Sequence, residues 1–67
     1  MLSKTNRGFD ISEFKDLYGF DCSLQKSSLA SQDCIWLGVN ENRMHLTQEM
    51  VRDLLPYLHK FVETGEL

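Results

Sequence analysis

Apolar residues recur along this chain with two different periods, and each period predicts a different element. Between Asp21 and Leu46 they alternate with polar residues, the signature of half-buried strands. Between Met50 and Val62 they fall three and four apart, the signature of an amphipathic helix. The alternating part divides into strands at Asp21–Ser27, Cys34–Val39 and Arg43–Leu46. Ser28–Asp33 reads as the first loop, and Asn40-Glu41-Asn42 supplies turn chemistry for the second. A four-residue second loop, Asn40 to Arg43, sets Val39 opposite Met44 and Leu37 opposite Leu46. The same logic pairs Leu24 with Ile35 and Cys22 with Leu37 in the first hairpin. Alternation then gives an apolar face of Cys22, Leu24, Ile35, Leu37, Val39, Met44 and Leu46. The opposite face carries Ser23, Gln25, Ser27, Cys34, Trp36, Gly38 and His45.

Thr47 is the expected N-cap of the long helix, with Glu49 in its first turn. Met50, Val51, Leu54, Leu55, Leu58, Phe61 and Val62 form its stripe, Pro56 interrupts its interior and Gly65 ends it. Upstream, Ile11, Phe14, Leu17 and Tyr18 also fall at helical spacing. Asp10 and Glu13 resemble a capping box, and Gly19 offers a left-handed terminus. These features predict a short first helix. The expected fold is therefore α+β: a small three-stranded antiparallel sheet with a short N-terminal helix and a longer C-terminal amphipathic helix, in the order α-β-β-β-α. Residues 1–8 read as a flexible lead-in and residues 9–67 as a single domain, with the long helix covering the apolar face of the sheet.

A chain of 67 residues has little core to bury, so self-association is a natural supplement. The surplus apolar residues Phe9, Phe14, Tyr18 and Phe20 point the same way, toward a homodimer or a partner protein. A net charge of −3 argues against nucleic-acid binding, which requires a basic footprint. No run approaches the roughly 20 apolar residues of a membrane span. Two cysteines do not make a disulfide scaffold, and reduced thiols suit a cytoplasmic protein.

Candidate chemistry is sparse. Cys22, Cys34, His45 and His59 lack the close pairs of a structural zinc site, and the register sends the two cysteines to opposite faces. No metal and no cofactor are expected. Cys34 and His45 share a face, yet no acid stands behind the histidine and no glycine-rich turn offers an oxyanion hole, so the chain reads as a non-enzyme. The candidate binding surface is the row Ser23, Gln25 and Ser27 beside Trp36 and His45, with Lys26 and Arg43 as a charged rim. The plain alternative for that row is a solvent-facing strand, and for Trp36 a core or subunit contact.

The segments CSLQKSSLA, CIWLG, RMHLT and LLPYLHKFVETGEL, preceded by Tyr18-Gly19, resemble a family of small hypothetical accessory proteins of tailed phages and prophages. The resemblance covers about Phe14 to Leu67. Some members of that family carry a longer insertion between the IWLG and RMHLT segments, where this chain has only Val39-Asn40-Glu41-Asn42. The resemblance supplies no catalytic residues. It implies a protein made in the cytoplasm of an infected bacterium, where such proteins commonly bind and disable a host enzyme or defence system or act as sponges for immune signals. Two further readings stay open: a sponge for a small nucleotide signal, with Trp36 stacking on the base, and a virion or morphogenesis component.

Overall fold

The computed structural model describes residues 2–67. Five strands precede one helix: β1 (Ser3–Lys4), β2 (Asp10–Lys15), β3 (Asp21–Lys26), β4 (Cys34–Val39), β5 (Met44–Thr47) and α1 (Gln48–Thr64). The strands form one antiparallel sheet in the order β1-β2-β3-β4-β5, so each pairs with its neighbour in sequence. This overturns the expected α-β-β-β-α order: among the described residues the sheet has five strands rather than three, and there is no N-terminal helix. The segment read as that helix is β2 and the turn after it, and the stretch read as a flexible lead-in contains β1.

The physical reason lies in two turns of the same design. In Thr5-Asn6-Arg7-Gly8-Phe9, the Gly8 amide donates to the Thr5 carbonyl and the Thr5 amide to the Phe9 carbonyl. In Asp16-Leu17-Tyr18-Gly19-Phe20, the Gly19 amide donates to Asp16 and the Asp16 amide to Phe20 in the same way. The side chain of the first residue adds a second tie: Thr5 Oγ1 accepts from the Phe9 amide and Asp16 Oδ1 from the amides of Tyr18 and Phe20. Gly8 and Gly19 supply the positive φ, 87° and 86°, that a three-residue hairpin loop needs at its last position. A two-turn helix is marginal in water by itself, and at Ile11–Tyr18 it would have had to compete with a ladder running from Ile11↔Gln25 to Lys15↔Asp21. Ion pairs Lys4–Asp10 and Lys15–Asp21 brace these hairpins at the surface. The Asp21 carboxylate, through its hydrogen bond and its charge, raises the Lys15 ammonium above the ordinary lysine range.

The two expected sheet faces are present, although the pairing differs. Leu24 stands opposite Leu37 and Cys22 opposite Val39, while Leu37 stands opposite Met44 and Ile35 opposite Leu46. Both hairpins are displaced by two residues from the expected register, and a slip of two preserves which side each residue faces. The second loop tightens because the Asn42 amide donates to the Val39 carbonyl, closing a turn around Asn40 and Glu41.

Helix α1 begins and ends as its caps predict. Thr47 Oγ1 accepts from the Met50 amide, and Gly65, at φ 77°, donates its amide to the Phe61 carbonyl. The helix does not, however, cover the apolar face. It follows β5 with no intervening loop and packs mainly against β5, and among the described residues none of its side chains is buried. Among the described residues the only buried hydrophobic side chains are Cys22 and Cys34.

Candidate functional site

The face opposite the apolar one is the better ordered of the two. Its organising group is Arg43, immediately before β5. The register places Gly38 of β4 between Ser23 of β3 and the Arg43 backbone, and a glycine there leaves the guanidinium a clear path across β4. Arg43 Nη1 donates to Ser23 Oγ at 3.1 Å and to Gln25 Oε1 at 2.7 Å. Ser23 Oγ in turn donates to Asn40 Oδ1 at 2.7 Å, which ties the β4–β5 turn to β3. The guanidinium carbon lies 5.6 Å from the centre of the Trp36 ring, within cation–π range.

Trp36 stands between Gln25 and His45 in the register. The imidazole stacks on the indole with centroids 3.8 Å apart and planes 7° from parallel. His45 Nε2 meets Ser27 Oγ at 2.9 Å, and that hydroxyl also accepts from the Leu29 amide. The His45–Ser27 bond spans the end of β4 beside Cys34, a residue only 5% exposed. Every buried side-chain nitrogen and oxygen among the described residues has a partner.

The structure thus brings Ser23, Gln25, Ser27, Trp36, His45 and Arg43 together and separates Lys26 from them. Lys26 has the same parity as Leu24 and projects on the apolar side, where it pairs with Asp33 at 3.0 Å across the mouth of the first loop. Two of the serines are not a free hydrogen-bonding row: Ser23 is 1% and Ser27 5% exposed. Cys34 is buried, and the cysteines lie on opposite faces as the alternation places them. Among the described residues no three His, Cys, Asp or Glu side chains gather as metal ligands, and no helix is long and apolar enough to cross a membrane.

The open part of this face lies on the other side of Trp36. A cleft of about 300 Å³ is lined by Trp36, Gln25, Phe9, Arg7 and the neighbouring turn residues Thr5 and Asn6. Phe9 and Arg7 were absent from the sequence-based site. Their signal was the TNRGF turn, which folds the N-terminal segment back beside β3 and brings Phe9 onto the face of Ile11 and Gln25. At the far end of the β2–β3 hairpin, Leu17 and Tyr18 are 90% and 82% exposed. No family model, curated protein or solved structure matches the chain.

Proposed function

We propose that the protein is a non-enzymatic accessory protein of phage origin that acts in the host bacterial cytoplasm by binding and inhibiting a host protein, in particular a component of antiviral defence. The observation that carries the binding role is the Arg43–Trp36–His45 stack, locked by Ser23, Gln25 and Ser27 on an open sheet face. Trp and Arg dominate the energetics of protein interfaces, and a pre-ordered pair loses little entropy on docking. The same contacts disfavour catalysis. Cys34 is buried and His45 Nε2 is engaged by Ser27, so the one nucleophile–base pair on this face is committed to structure. The phage setting comes from the sequence resemblance.

The test is affinity capture from host lysate with the wild-type chain and with Trp36→Ala. A host protein retained by the first and lost by the second is the expected result. No captured protein, together with no growth or plaquing phenotype on expression, would overturn the reading.

The cleft beside Trp36 favours a second reading, a sponge for a small nucleotide signal. About 300 Å³ is at the small end of ligand sites. In that reading a planar base stacks on Trp36 in the cleft that Phe9 and Arg7 also line, and the Arg7 guanidinium meets a phosphate. A melting temperature that stays constant across a panel of cyclic nucleotides would sink it.

A further inference from the structure

The single chain leaves two apolar surfaces apart. Leu24, Leu37, Val39 and Met44 look out from one side of the sheet, and the α1 stripe of Leu54, Leu55, Leu58 and Phe61 is about half exposed. Between them lies a wedge of about 620 Å³, lined by Lys26, Asp33, Ile35, Val51, Arg52 and Leu55. The missing burial can be sized. A compact monomer of 7.8 kDa exposes about 4400 Å² by the usual scaling of surface with mass. This chain exposes 5687 Å², an excess of about 1300 Å².

We infer that this wedge is filled by the α1 helix of a second copy, so that two chains exchange helices about a two-fold axis and place two helices between two sheets. Three observations select this occupant. The excess corresponds to about 2600 Å² for a pair, inside the roughly 2000–5000 Å² of obligate homodimers. The dimensions match: 17 residues of helix span about 25 Å, and five strands extend about 19 Å across the sheet. The chemistry is reciprocal. The sheet needs an apolar cover and the helix needs an apolar floor, and one two-fold contact supplies both at once. A foreign helix laid on the sheet would leave α1 uncovered. The Trp36 face points away from this interface and stays open for a partner.

Native mass spectrometry and sedimentation of the full chain at micromolar concentration should give twice the 7.8 kDa chain mass, with a melting temperature that rises with protein concentration. Leu58→Glu in the helix and Leu37→Lys in the sheet should each abolish the dimer. Co-refolding the two variants should restore a heterodimer, because one helix–sheet contact is then wild-type on both sides and the other pairs Glu with Lys. This holds even if neither variant folds alone. A folded monomer with a concentration-independent melt, a trimer or larger assembly, a dimer that survives Leu58→Glu, or failure of the mixed variants to pair would each overturn the inference. Trp36→Ala should leave the dimer intact, so loss of host-protein capture and loss of dimerisation are separable results.

Discussion

At the scale of single residues, alternation in the sequence is sufficient to sort the sheet into its two faces. It does not reveal what each polar residue does there. Ser23 and Ser27 look like an exposed row because serine is usually at the surface. They are buried because Arg43 and His45, one strand further over, reach back across β4 to them. Lys26 was assigned to the polar rim by its charge, although its parity with Leu24 places it on the other side. Removing the covers should have distinct effects. His45→Ala should expose Cys34, so that a thiol reagent labels it several-fold faster while Cys22 on the opposite face is unaffected. Arg43→Ala should cost about 1 kcal/mol in denaturant unfolding, since Ser23 keeps Asn40 as a partner and Gln25 turns to water. It should also increase acrylamide quenching of Trp36.

At the scale of elements, the second half of the chain is readable because every boundary carries its own chemistry: turn residues at Asn40-Glu41, a cap at Thr47 and a left-handed stop at Gly65. The first half misleads because Ile11, Phe14, Leu17 and Tyr18 satisfy helical spacing by coincidence. Leu17 and Tyr18 occupy a hairpin tip, and the deciding signal is the repeated form x-x-x-Gly-Phe at Thr5–Phe9 and Asp16–Phe20. Gly19→Ala tests this. The site has room for a methyl group, so the cost is backbone strain alone, about 1–2 kcal/mol. Thr47→Ala should cost about 1 kcal/mol through the lost cap bond to Met50. Both are measured by chemical denaturation at fixed protein concentration.

At the scale of the whole molecule, the sequence supplies an apolar sheet face and an apolar helix, and the direct junction at Thr47–Gln48 keeps them from meeting in one chain. Pattern alone cannot distinguish a helix that folds back from one that reaches outward, because both bury the same stripe. The missing connector decides it, and connector length is a property of boundaries rather than of periodicity.

The uninterrupted meander also dictates an order of events in time. Each strand finds its neighbour within a few residues of chain, so the sheet closes through short loops in a first-order step that needs no other molecule. In the proposed dimer, α1 then finds the sheet of a second copy by diffusion. Refolding should therefore show a rapid phase independent of dilution, followed by a slower one whose rate rises with the number of chains in solution.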